Sequence, residues 1–244
     1  MIASWELFAF GSLVVFGAFF VRSLTGFGSA LISIPLLALV FDLPLVVPLE
    51  AVLELAVTLL LFAQIYRAVD WPTLLPMMVG VTVGALAGVY LLTNVSSALL
   101  KQVLGVLILG YALYLWLRHE QMAQQRQHRP VWALAAGGIG GIIGGTVGTS
   151  GPPYVMYLAY RLHDKGVLRA TLTALFGFDG LWRIGVFAYH GLLTPATLWS
   201  ALWLLPALTA GAILGHYAHL NVSQQRFTQV MALILGVAGV LLLL

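Results

Sequence analysis

Two carboxylates, Glu50 and Glu54, stand four residues apart inside an apolar stretch, and Asp179 and Arg183 repeat that spacing later in the chain. On a helix, residues four apart share a face. Ionisable groups inside a membrane span are expensive and mark function by default. Two carboxylates placed together at depth carry a large cost unless a proton, a cation or a partner relieves it. Glu50 and Glu54 are therefore read as proton-coupling residues, with Asp179 as a third. The plainer alternative sets Glu50 near the membrane interface, just after Pro48. Asp179 and Arg183 read equally well as an internal ion pair, and Arg183 also suits an anionic substrate.

The second set of informative residues lies in two short segments. Around Thr25, Gly26, Gly28 and Ser29, and again around Gly148, Thr149, Ser150 and Gly151, glycines and hydroxyl residues sit between apolar runs, followed by Pro35 in the first case and Pro152 and Pro153 in the second. Glycine permits backbone geometries other residues resist, and proline cannot donate to a helix ladder, so both segments are expected to break a helix. Non-helical backbone at membrane depth survives only when buried in protein or lining a wet cavity. Free amides at a helix N-terminus suit an anion. These eight residues, with Arg183, form the expected substrate-binding set. The glycine run at 137–145 is better explained by close helix packing. His216 and His219 have the spacing of a metal pair but no third ligand nearby, and they read as interfacial polar residues.

The elements that must position these groups follow from composition. Of 244 residues 61% are hydrophobic and 8% charged, against about a quarter charged in a soluble domain, so lipid is the solvent. The fold class is an all-α polytopic integral membrane protein. Apolar runs fall at about 5–21, 27–41, 44–65, 72–92 and 100–117, and five more at 131–147, 152–160, 170–189, 195–218 and 226–244. The first is read as a retained helix, because no basic segment precedes it. Repeat 1 then covers about 1–117, a cytoplasmic connector 118–130, and repeat 2 131–244, within a single transmembrane domain. Duplication is supported in detail: Gly84, Ala85, Gly88, Asn94, Val95, Ser96, Gln102 and Val103 recur, shifted by 127, as Gly211, Ala212, Gly215, Asn221, Val222, Ser223, Gln229 and Val230. Nearer the start, Gly26 matches Gly148 at a shift of 122.

Orientation follows from basic residues, which collect on the cytoplasmic side. With ten crossings and both termini outside, Arg22, Arg67, Arg118, Arg126, Arg129, Arg161, Lys165, Arg169 and Arg226 all fall inside, and Lys101 falls outside. An odd number of crossings per half makes the repeats inverted, as in many secondary transporters. The segment 152–160 is too short for an upright span, so it and its predecessor are an alternative re-entrant pair. The absence of cysteine excludes disulfides and thiolate metal sites, and no cofactor is implied. The net charge of +3 is explained by orientation rather than by nucleic acid. The partners expected are a small anion and membrane lipid; a homo-oligomer is left open.

The stretches Gly26-Phe-Gly-Ser-Ala-Leu-Ile-Ser-Ile-Pro35-Leu36 and Gly148-Thr-Ser-Gly-Pro-Pro-Tyr-Val-Met-Tyr-Leu158 resemble those of the sulfite exporter TauE/SafE family, which shows a glycine-rich break near the start of each half. This chain departs at Ser29 and Ala30, where the family has a longer glycine run. The resemblance implies a bacterial inner-membrane permease for sulfite, sulfoacetate, thiosulfate or a related organosulfur anion. No Gly-x-x-x-x-Gly-Lys segment is present to drive it with nucleotide, which leaves ion, potential or substrate gradients. Two rival readings are a membrane scaffold or assembly subunit, and an intramembrane hydrolase acting through Ser150, which would need a base oriented toward it.

Overall fold

A computed structural model describes residues 5–117, 130–218 and 224–243. The described residues form ten α-helices, one short 3₁₀ turn and no strand: α1 Trp5–Thr25, α2 Ser29–Ala38, α3 Leu43–Ile65, α4 Trp71–Asn94, α5 Ser97–Leu117, α6 Pro130–Val147, α7 Gly151–Arg161, α8 Lys165–Tyr189, α9 Pro195–Tyr217 and α10 Gln224–Leu243. Each coincides with one of the ten apolar runs. Five of them, α1, α4, α5, α6 and α9, are long and apolar enough to cross a membrane. Side chains such as Leu13, Val83, Tyr90, Trp132 and Trp203 point outward, as expected where lipid is the solvent. The proposed connector at 118–129, with Arg118, Arg126 and Arg129, lies outside the described residues, as do His219 and the Asn221–Ser223 repeat of the first-half turn.

α2 and α7 are short. Ten and eleven residues give about 15–16 Å of helix at 1.5 Å per residue, half of a bilayer core. Each is separated from the helix before it by three residues, 26–28 and 148–150. α1 and α6 end alike. Gly26 and Gly148 are left-handed (φ +86° and +78°), and their amides bond the carbonyls of Arg22 at 2.7 Å and Gly144 at 3.0 Å. That is a single-bond left-handed cap, which glycine adopts without steric cost. α7 opens with Pro152 and Pro153, where the first-turn amides have no acceptor in any case. Pro35, expected within the first break, instead lies inside α2; the glycines alone stop the helix.

The two halves pack through each other. α1 runs beside α9, and its counterpart α6 runs beside α4; α5 packs on α10 and α3 on α8. In the first pair Phe8 meets Trp203, Gly211 meets Phe16 and Gly215 meets Phe20, so the two helices run in the same direction. In the second, Gly137 faces Met77, Gly84 faces Gly138 and Ile142, and Gly88 faces Gly145, again in the same direction. A β-carbon on Gly80, Gly84, Gly88 or Gly137 would stand 2.1–2.3 Å from a backbone carbonyl of the facing helix. The helices therefore meet backbone to backbone, as small residues allow in membranes. The glycine run is a packing element, and the repeated Gly211 and Gly215 perform the same task on α1. By contrast α3 and α8 run against each other, Gly177 lying on Thr58 and Gly180 beside Ala51 and Leu55.

Candidate functional site

The crossing of α3 and α8 lies near the middle of both helices, and the two helix breaks converge on it. From the first half, α3 presents Glu50 and Glu54 one turn apart. Glu54 is taken up by a network. Its carboxylate forms a buried ion pair with Arg22 and accepts a hydrogen bond from Ser29 Oγ at 2.7 Å. Arg22 donates further to Thr58 Oγ1 at 3.1 Å and contacts Ser29 Oγ at 3.4 Å, with its guanidinium over the Phe19 ring. Three elements, α1, α2 and α3, are thereby tied at one point. The basic-residue pattern counts Arg22 among the residues that fall inside. It is instead 3% exposed, one turn before the end of α1, and its charge belongs to the interior.

Glu50 has no such partner. It is buried and neither oxygen has a hydrogen bond. Ser33 lies close enough to interact with it, but the Ser33 hydroxyl donates to the Ser29 carbonyl at 2.9 Å. The charges acting on Glu50 are Glu54, Arg22 and Arg183. Glu50 is thus enclosed by protein, 2% exposed.

From the second half, α8 supplies Asp179 and Arg183. They form a buried pair at 3.2 Å between Arg183 Nε and Asp179 Oδ1. The pair is not aligned as a hydrogen bond, and both atoms are otherwise unpartnered. Asp179 Oδ2 accepts from Ser150 Oγ at 2.8 Å, and Arg183 Nη1 donates to the Gly144 carbonyl at 2.9 Å. Gly144 must be small here, since a β-carbon would meet Ser150 Cβ at 2.8 Å.

Between these groups lies a void of about 10 Å³ lined by residues from both halves: Gly28, Ser29, Ala30 and Leu31, Glu50 and Glu54, Gly148, Ser150 and Gly151, Phe176 and Arg183. That is the space of about one water molecule, too little for a sulfur oxyanion in this conformation. The first amides of a helix lack intrahelical acceptors, and residues 29–31 in the first turn of α2 line the wall beside Gly28. α7 offers fewer, because Pro152 and Pro153 have no N–H; on that side the guanidinium of Arg183 is the donor.

Of the residues expected to bind substrate, Gly28, Ser29, Gly148, Ser150, Gly151 and Arg183 line the void. Gly26 does not; it faces Arg169. Thr149 is buried but lines a second, mostly apolar groove of about 360 Å³ beside α5, with Leu31, Tyr111, Pro152, Pro153 and Met156. Thr25 closes α1, and its side chain lies outside the described residues. Asp179 stands behind Arg183 rather than on the void wall. Sequence reasoning missed the interior role of Arg22 and the contributions of Ser33, Thr58 and Tyr154. Tyr154 is fully buried with an unpartnered hydroxyl, near enough to Ser150, Asp179 and Arg183 to interact with them. The described residues hold no cluster of three or more metal-ligating side chains, and His216 is exposed.

The two glycine-capped breaks and the motifs that carry them, 26–36 and 148–158, lie within a match to a known family. The model of the family described as sulfite exporter TauE/SafE matches residues 11–242. The chain belongs to the sulfite exporter TauE/SafE family. Among relatives, it is 27% identical over 177 residues to a probable inner membrane transporter protein TsaS of Comamonas testosteroni, covering 71% of this chain and 72% of that one. It is 28% identical over 151 residues to a probable sulfite/organosulfonate exporter TauE of Cupriavidus necator, covering 60% of this chain and 58% of the relative. No solved structure matches. As a member of the TauE/SafE family, the chain is a multi-pass inner-membrane protein of transporter type.

Proposed function

We propose that this chain is a secondary transporter for a small sulfur oxyanion of the sulfite or organosulfonate class, built from two inverted five-helix repeats. The observation that carries the reading is the small void at the α3–α8 crossing, where the start of α2, the guanidinium of Arg183 and the unpartnered carboxylate of Glu50 meet. Inversion is supported by the antiparallel course of α3 and α8 and by the exchanged pairing of α1 with α9 and α6 with α4. The relatives' names support the substrate class. In this reading the anion takes donors from both halves and enters or leaves as they rock. Glu50 is the proton-carrying residue; Glu54 and Asp179, already held by arginine and serine, are structural.

The test is flux in proteoliposomes with sulfite, thiosulfate, sulfoacetate and sulfate, with and without an imposed pH gradient. Wild type is expected to carry at least one sulfur oxyanion unchanged and to accelerate under the gradient. Glu50→Gln keeps shape and hydrogen bonding but cannot titrate, and it should retain anion-for-anion exchange while losing the gradient response. An unaltered response in well-folded Glu50→Gln overturns the coupling role. A hydrolase acting through Ser150 is disfavoured because its hydroxyl donates to an aspartate already paired with arginine, while the described histidines 163, 190 and 216 are exposed; appearance of a chemically altered product would revive it.

A further inference from the structure

The two glycine joints are alike in backbone but not in what covers them. At Gly148 a β-carbon would stand 2.2 Å from Ile34 Cδ1 and 3.4 Å from both Val47 methyls; Ile34 and Val47 are fully buried. At Gly26 it would stand 3.2 Å from Arg169 Nε. Position 47 and position 169 differ by 122, the same shift that relates Gly26 to Gly148, so corresponding residues of α3 and α8 lie over corresponding joints. One cover is an apolar, buried plug, and the other is an exposed cation.

Arg169 is held lightly. Its Nη2 donates to the Leu24 carbonyl at 2.8 Å, in the last turn of α1, where carbonyls lack intrahelical donors. It has no carboxylate partner among the described residues. Asp164, the acid nearest it in sequence, is committed to capping α8 through the Val167 amide at 2.8 Å. Arg22 and Arg183 are both paired with acids, so of these three arginines around the two breaks Arg169 alone has no acid paired with it among the described residues. Two residues beyond Gly26, Gly28 lines the central void and has nothing within 4 Å of where its β-carbon would be. A cation at that position draws anions toward the joint at 26–28, which is partly exposed, whereas the joint at 148–150 is buried.

We propose that Arg169 is an anion gate at one mouth of the pathway: it captures the incoming anion, releases the Leu24 carbonyl of α1 as it does so, and passes the anion to the donors at Gly28 and Arg183. The opposite mouth, plugged by Ile34 and Val47, has no equivalent. The inference rests on the anion-transport reading.

Arg169→Gln tests it, because glutamine still has an amide to cap the Leu24 carbonyl but carries no charge. Labelled sulfite uptake is measured in right-side-out and inverted membrane vesicles from the same cells. From the face that carries Arg169, KM should rise about tenfold, with maximal rate per transporter within about twofold. From the other face KM should not change. Arg169→Lys should recover most of the affinity. Because an exposed charge is screened by salt, raising ionic strength should weaken wild type on that face and scarcely affect Arg169→Gln. Equal changes at both faces, or wild-type KM in the glutamine variant, would make Arg169 a helix cap and nothing more. If wild type carries none of the four anions above, the transport reading falls and the gate with it; normal symmetric transport by Arg169→Gln overturns the gate alone.

Discussion

The two breaks solve the same problem with opposite wiring. In the first half the arginine comes from α1 and its acid from α3, with Ser29 of α2 and Thr58 closing the network. In the second half both charges sit on α8, four residues apart, and only Ser150 and the Gly144 carbonyl reach them from other elements. The first arrangement ties three helices together, and its arginine does not reach the void wall. The second leaves Arg183 facing the void with Asp179 behind it. One buried ion pair is a clasp between elements; the other, in the proposed reading, sets a cation in place for the anion.

The comparison breaks most visibly at Arg22. Arg22→Ala leaves Glu54 buried without its counter-charge, which costs about 3–5 kcal/mol, and the protein should fail to accumulate in the membrane. Replacing both partners, Arg22→Met with Glu54→Leu, should restore most of the thermal stability in detergent, as apolar replacement of a buried pair usually does. If the single and double variants are equally unstable, the clasp reading is wrong. Arg183→Gln sharpens the other side. Made together with Asp179→Asn, so that no buried carboxylate is left without its counter-charge, it should fold, yet lose about a hundredfold in sulfite affinity, in keeping with about 1.5–3 kcal/mol for a hydrogen bond to a charged group; equilibrium binding to purified protein measures this. Loss of folding without loss of affinity in the folded fraction would exchange the roles assigned to the two arginines. Smallest are the serines. Ser29→Ala and Ser150→Ala each remove one bond from a buried carboxylate, worth about 1–3 kcal/mol. Ser29→Ala should lower the melting temperature more, and Ser150→Ala should raise sulfite KM more, by about fivefold.

The helices were legible because a lipid-facing segment must be apolar along its whole length, so each apolar run marked one helix, and the two segments that mix glycine with hydroxyl residues, 25–29 and 148–151, marked the joints. Gly26 and Gly148 could be picked out in advance because a left-handed cap at depth demands glycine. The contact partners were not legible. Arg22, at the end of an apolar run, has the sequence signature of a cytoplasmic flanking residue; only the return of α3 past α1 brings Glu54 to it. Thr149 and Ser150 are adjacent in one turn, and no spacing rule says which faces the void and which the groove beside α5. Tyr154 stands among apolar residues, and nothing in its neighbourhood in the chain marks its hydroxyl as buried near Asp179. Of the two carboxylates on one face of α3, the sequence could not say which would be claimed by a partner.

The exchanged pairing of glycine-bearing helices bears on how the protein is made. α4 leaves the ribosome with its glycine ridge complete, but the surface that fits it is α6, which follows only after α5 and residues 118–129. α1 waits longer still, until α9, nearly the whole chain later. Both helices must therefore stand in lipid unpartnered while synthesis proceeds, with acyl chains filling the grooves that α6 and α9 will take. Insertion and packing are then separate stages, and neither half is a self-sufficient unit of assembly: a chain stopped after α5 would hold its spans in the bilayer yet leave open the seams that close the molecule.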